Sequence, residues 1–221
     1  LSDEKFESIA EYYQTYPNKP KTDLRKVFWT LPVIDMIKNN GNPIPSDFRD
    51  FFSHGPADPY WNNLHYVTNK DQFNVPALHV NSWYDGAVDE TLRLFNLFRE
   101  NAGSKRAADN QFVIISPTAH CKSEYTDPPF VIGELDLGDA TLGYFQIYLN
   151  WFDYWLKGKK NNVLAMPKVQ YYLMGANEWR SAPRWPIPGV EFTKFYLHSD
   201  GHANSRKGDG VLGMDVPGNE P

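Results

Sequence analysis

Two short apolar runs, Val75–Asn81 and Gln111–Ile115, stand on either side of an amphipathic stretch at 88–100. This pattern constrains the fold more than any other in the chain. Pro76 lies near the start of the first run, where a strand tolerates proline. Between the runs, Val88, Leu92, Phe95 and Arg99 recur at helical spacing; Asp89 and Glu90 occupy the first turn and Arg99 the last, as the helix dipole favours. Strand, helix, strand is one βαβ unit, so its strands are expected to be parallel and buried between layers. The fold class is therefore α/β.

The rest of the chain divides around that unit. Residues 1–57 read as a helical segment, with helices expected at Ser2–Tyr13 and Asp23–Lys38 and a break or kink at Pro32. Asn39-Asn40-Gly41 is a fitting stop for the second. Residues 58–160 hold the βαβ unit and a helix at 141–156 with two stripes. One is Leu142, Phe145, Leu149, Phe152 and Leu156; the other is Tyr144, Tyr148, Trp151 and Trp155. Asp139 is placed to cap that helix, Lys157-Gly158 to end it, and its two stripes predict cover on both sides. After a polar linker the period changes to two in Lys168–Met174 and Glu191–His198, so 167–221 reads as the beginning of an all-β domain. The chain opens on Leu1 within a helix-like pattern and closes on a loop, as a piece cut from something longer would.

Composition narrows the function. Hydrophobic residues are 41% of the 221, with 7 Trp, 13 Tyr and 14 Phe, which is ample for a core. The net charge is -5 and the basic residues do not cluster, so nucleic acid has no electrostatic footprint to hold. One cysteine excludes an intrachain disulfide framework, and no run is long enough to span a bilayer. His54, His65 and His79 match no compact ligand spacing, so no metal or other cofactor is expected. Neither compartment nor oligomeric state can be read from these residues.

Chemistry in an open parallel sheet gathers at the carboxyl ends of its strands. Asp85 follows the first run, and His120 is the first histidine after the second. Neighbouring parallel strands would set both at one sheet edge, where an acid can hold an imidazole so that its other nitrogen acts as base. The order acid, then histidine, is that of α/β-hydrolases. Asp85-Gly86 is also a good turn former, a reading that needs no chemistry. Trp83, Tyr84, Trp61 and Thr118 are candidates for the substrate pocket, with aromatic core filling as the other account of the first three. No G-x-S-x-G elbow occurs, and Cys121 adjoins His120 in a way that rarely makes a nucleophile–base pair.

Four motifs in order give a family resemblance over roughly 60–200. Ser82-Trp83-Tyr84-Asp85-Gly86 resembles a Gly-Trp-Tyr-Asp-Gly pattern, and Ser116-Pro117-Thr118-Ala119-His120 a Gly-Pro-Trp-x-His pattern. Phe152–Gly158 and Val169–Arg180 are similar to the segments that follow. The pattern is that of the X-prolyl dipeptidyl-peptidase, cocaine esterase, cephalosporin-acylase and α-amino acid ester hydrolase group of serine hydrolases. The resemblance implies the C-terminal part of an α/β-hydrolase domain with a helical cap segment, followed by the start of a jelly roll. It implies Asp85 and His120 as two members of a Ser-Asp-His triad, with the serine in the remainder of the hydrolase domain upstream. The substrate would be a small ester, amide or short peptide, and the chain alone would be inactive. Ser82 and Ser116 stand where the pattern has glycine, and Thr118 where it has tryptophan; the change at 118 bears on the pocket wall and puts the substrate, not the triad, in question. A non-catalytic carbohydrate- or ligand-binding module is the rival reading, resting on the aromatic β segment.

Overall fold

The computed structural model describes residues 24–39, 47–64 and 66–218. The helix expected at Ser2–Tyr13 and the stop at Asn40-Gly41 lie outside them. The chain separates into two compact units, 1–67 and 68–221.

The described part of the first unit is helical: α1 (Leu24–Phe28), a 3-10 turn (Val33–Asp35), α2 (Met36–Asn39), α3 (Phe48–Ser53) and a 3-10 stretch (Pro59–Leu64). The single helix expected over 23–38 is thus broken. Pro32 causes the break: it is extended (φ -67°, ψ 155°) and has no N–H to continue the ladder. Near α3, His54 stacks on Tyr60 with ring centroids 3.8 Å apart, and Nδ1 lies 3.0 Å from Asp58.

In the second unit, β1 (Ala77–Tyr84), α4 (Val88–Glu100), α5 (Lys105–Asp109) and β2 (Gln111–Ala119) build the expected βαβ unit. β1 pairs with β2 in parallel, Ala77 opposite Gln111 through Ser82 opposite Ser116, and Tyr84 opposite Ala119. Both strands outrun the apolar stretches that announced them. β2 passes Pro117 because the register shifts between Ser82 and Tyr84, so the residue without an N–H falls at an irregularity.

β2 is the centre of the core: Phe112, Val113, Ile114 and Ile115 are completely buried. Its side chains alternate between two faces, as strand geometry requires. Val113 and Ile115 meet Leu92 and Phe95 of α4, while Phe112 meets Trp151 of α6 (Tyr144–Lys157), ring edge to face at 5.6 Å. A strand apolar on both faces is what a parallel sheet with two helical layers demands.

α6 ends where expected, on Gly158, whose left-handed backbone (φ 65°) lets its N–H reach the carbonyls of Asp153 and Tyr154. Asp139 does not cap it. Its Oδ1 accepts from Thr141 N in a local turn, and Gly143 is the N-cap. The two stripes also part company: Tyr144 and Trp151 are buried, whereas Phe145, Leu149, Phe152 and Leu156 are exposed. Among the described residues α6 is covered on one side.

The sheet does not stop at the expected boundary near 158–167. β5 (Val169–Leu173) pairs in parallel with β2, and β6 (Glu178–Ala182) pairs antiparallel with β5, giving the order β1-β2-β5-β6. Two small antiparallel pairs stand apart, β3 (Val131–Ile132) with β4 (Leu135–Asp136), and β7 (Tyr196–His198) with β8 (Val211–Gly213). No helix among the described residues is long and apolar enough to cross a membrane.

Candidate active site

Because Tyr84 lies opposite Ala119, the residues that follow them, Asp85 and His120, leave the same edge of the sheet side by side. His120 Nδ1 is 2.5 Å from Asp85 Oδ2. An ionised carboxylate can only accept, so Nδ1 carries the proton. Asp85 Oδ1 accepts from Ala87 N at 2.9 Å, and Asp85's own carbonyl accepts from Val88 N, opening α4. Each carboxylate oxygen is thereby engaged. The Ala87 N–H and then His120 hold this carboxyl below the ordinary aspartate range. Asp85 is also the turn former that its pairing with Gly86 suggested; the turn and the histidine contact use different oxygens.

The two partners differ in exposure. The Asp85 side chain is 12% exposed, the His120 side chain 76%. With Nδ1 committed, Nε2 is the nitrogen available to take a proton from a nucleophile. The pair borders a cleft of about 500 Å³, whose wall includes Glu124, Tyr125, Phe145 and Tyr148. Tyr148 OH donates to Glu124 Oε1 at 2.5 Å, and burial followed by that carboxylate pushes the phenol's pKa upward. A larger hollow of about 680 Å³ opens beside Arg99, Arg184 and Trp185, but it holds no histidine, so size does not locate the chemistry.

The sequence candidates for the pocket go elsewhere. Trp83 turns to the opposite face, donating Nε1–H to Tyr172 O at 2.8 Å and packing near Trp185. Tyr84 is exposed and does not border the cleft. Trp61 belongs to the first unit, where its Nε1–H donates to Gly55 O at 2.7 Å. Thr118 is buried, bonded to Ser116 and Ser123. Cys121 does border the cleft and is exposed, but among the described residues no hydrogen bond joins it to His120.

The wall residues Glu124, Tyr125, Phe145 and Tyr148 escaped sequence reasoning. The usable signal was α6 itself: Phe145 and Tyr148 are one turn apart, so they present neighbouring rings. His79 sits between the rings of Phe95 and Phe98, its pKa lowered by burial. Among the described residues no cluster of three His, Cys, Asp or Glu could hold a metal ion; His65 lies outside them.

A mixed sheet whose parallel strands lie between helices, with acid and histidine at adjacent strand ends, is the architecture of the α/β-hydrolase class. Two solved structures of a CocE/NonD family hydrolase from Staphylococcus aureus share the fold. One matches with TM-score 0.50 and 20% identity, over 85% of this chain and 29% of that one. The other matches with TM-score 0.50 and 22% identity, over 82% and 29%. Residues 4–122, more than half of the chain, match the X-Pro dipeptidyl-peptidase (S15) family, and the chain belongs to that family of hydrolases. Cocaine esterase from Rhodococcus sp. (strain MB1 Bresler) is 29% identical over 183 residues, which are 81% of this chain and 30% of that protein. The chain therefore spans about 30% of the length of the curated relative it matches.

Proposed function

We propose that this chain supplies the acid and the base of a serine acyl hydrolase that cleaves a small ester, amide or short X-Pro peptide. The observation that carries the reading is the bond from His120 Nδ1 to an Asp85 carboxylate already fixed by the Ala87 N–H. The names of the relatives point the same way: one is an esterase, and the family is named for peptide cleavage.

In this mechanism His120 Nε2 takes the proton of a serine hydroxyl as its oxygen attacks the acyl carbon. Asp85 keeps the imidazole in the required tautomer and offsets the positive charge it acquires. The imidazolium then returns the proton to the departing alcohol or amine, leaving an acyl-serine. A water molecule, deprotonated by the same Nε2, adds to the acyl carbon; collapse releases the acid, and the proton goes back to the serine. The chain's 221 residues contain no G-x-S-x-G elbow, so the serine is assigned to a segment outside them. Residues 1–57 are read as part of the cap, 58–160 as the C-terminal part of the hydrolase domain. The β-rich end is read as the start of a jelly roll, with β5 and β6 joining it to the hydrolase sheet.

Hydrolysis of an activated p-nitrophenyl ester tests this, with each protein compared against its His120→Ala variant. The chain as given should match its variant at background, while a chain extended to include the serine should turn over and lose that turnover with His120. Turnover by the present chain that His120→Ala abolishes would overturn the outside-serine assignment, and covalent labelling would then locate the nucleophile. An extended enzyme that remains active as His120→Ala would overturn the role given to the histidine.

A further inference from the structure

His120 has little packing of its own to orient it, since its side chain is mostly exposed. Its direction is set by the turn that carries it. That turn is closed by the Lys122 N–H donating to Ala119 O at 3.1 Å, with His120 and Cys121 at its centre. Cys121 has φ 56°, a left-handed backbone that a residue with a Cβ adopts reluctantly. Left alone, the turn would relax toward other conformations and carry the imidazole away from Asp85.

Three hydroxyls close around its base. Ser116 Oγ lies 2.8 Å from Thr118 Oγ1 and 2.7 Å from Ser123 Oγ, and the third side of the triangle, Thr118 to Ser123, is 3.2 Å. Ser116 and Thr118 precede His120 on β2, and Ser123 follows it, so the triangle staples the two ends of the segment that holds the histidine. They are buried, with exposures of 1%, 2% and 8%. Three hydroxyls have three protons; in a ring each donates once and accepts once, so the ring satisfies its own donors without water. The buried Tyr144 hydroxyl stands beside Ser116 and Ser123 without reaching bonding geometry. From the neighbouring strand, Ser82 Oγ donates to Ala119 O at 3.3 Å, tying the start of the same turn to β1.

Polar groups inside an otherwise apolar strand end are costly unless paired, and these are paired with one another at the base of a turn that holds a non-glycine residue in the left-handed region. We propose that Ser116, Thr118 and Ser123 form a buried hydroxyl latch that keeps the turn of His120 in register with Asp85, making them positioning residues of the acid–base pair. The catalytic meaning of the latch rests on the function proposed above; its structural action does not.

The test is therefore a resonance and not a rate. In proton NMR at low temperature, the His120 Nδ1 proton in its short bond to a carboxylate should lie far downfield, and its loss in Asp85→Asn assigns it. Ser123→Ala removes both bonds that close the staple; the signal should vanish or exchange with water at least about tenfold faster, because two hydrogen bonds are lost at once. Thr118→Val keeps the side chain's shape and removes only the hydroxyl, whereas Thr118→Ser keeps the hydroxyl. Faster exchange in the valine variant with parent-like exchange in the serine variant assigns the effect to the hydroxyl. An unchanged position and exchange rate in Ser123→Ala would overturn the latch, as would equal behaviour of the two Thr118 variants. The catalytic reading fails by a separate route, through ester turnover of the extended enzyme that survives His120→Ala, and that result leaves the resonance where it was.

Discussion

Asp85→Asn is the substitution whose consequence follows most directly from the geometry. Asp85 uses Oδ1 for the Ala87 N–H and Oδ2 for the proton on His120 Nδ1, so both oxygens act as acceptors. Asparagine offers one acceptor and one donor. If its oxygen stays on Ala87, its NH₂ faces Nδ1, which must then give up its proton; the proton moves to Nε2, and the base nitrogen is lost. If the amide flips, its NH₂ opposes the Ala87 N–H, two donors meet, and the turn leading into α4 loses its tie. The first arrangement keeps the turn, so the expected result is a folded protein with the wrong tautomer. Turnover in the extended enzyme should fall by about 10⁴-fold, the scale of the same change in triads of this logic. The assay is kcat for an activated ester, with circular dichroism to verify the fold. A folded variant within about tenfold of the parent would refute the reasoning, because a factor of ten in rate is only about 1.4 kcal/mol of barrier.

Acid stability gives a second check on the same carboxylate. Its pKa is lower when folded than unfolded, so its contribution is fully present above the unfolded value of about 3.9 and fades as pH falls through the folded one. Urea midpoints of the parent and Asp85→Asn should therefore converge as the solution is acidified through the carboxylate range; a constant gap would contradict this. Phe95, fully buried on α4, should cost about 3–5 kcal/mol when cut to alanine, measured by urea unfolding. The adjacent residues of α6 form an internal control: Trp151→Ala should cost about 3–5 kcal/mol, while Phe152→Ala should stay within about 0.5 kcal/mol because its ring is exposed. Comparable losses at the two positions would mean that the outer stripe is covered.

What the sequence made legible was local periodicity and the edge it implies. The helix at 88–100 matches α4 end to end, because its apolar spacing and its charged ends point to the same limits. β1 and β2 were readable as apolar runs, and with them the meeting of Asp85 and His120, since parallel pairing leaves little choice about where two such strand ends lie. Periodicity could not tell which stripe of α6 would be buried, because both stripes are apolar and aromatic; only the partner, Phe112 on the sheet, selects Trp151 over Phe152. Nor could the switch to period two after Pro167 say which sheet the new strands join. β5 reads as alternating yet is mostly buried and pairs in parallel with the central strand.

Which residues wall the cleft beside His120 was hidden for a related reason. Trp83, Tyr84 and Thr118 were attractive because they adjoin the acid and the histidine in sequence, but along a strand successive side chains face opposite ways. Of Ser82, Trp83 and Tyr84 next to Asp85, Ser82 borders the cleft, whereas Trp83 is committed to Tyr172. Thr118 faces Ser116 across the pleat, two residues along the same strand, which is why it meets a hydroxyl and not the cleft. The side chains that do wall the cleft come from the turn after His120 and from a helix that begins more than twenty residues later, a proximity created by packing. The three positions where the chain departs from the glycine and tryptophan of its family pattern are 82, 116 and 118, and each hydroxyl there bonds to a group within the segment holding His120 or at its margin. The hydroxyls at 82, 116 and 118 thus stand around the turn that carries His120, which is where the latch proposed above would act.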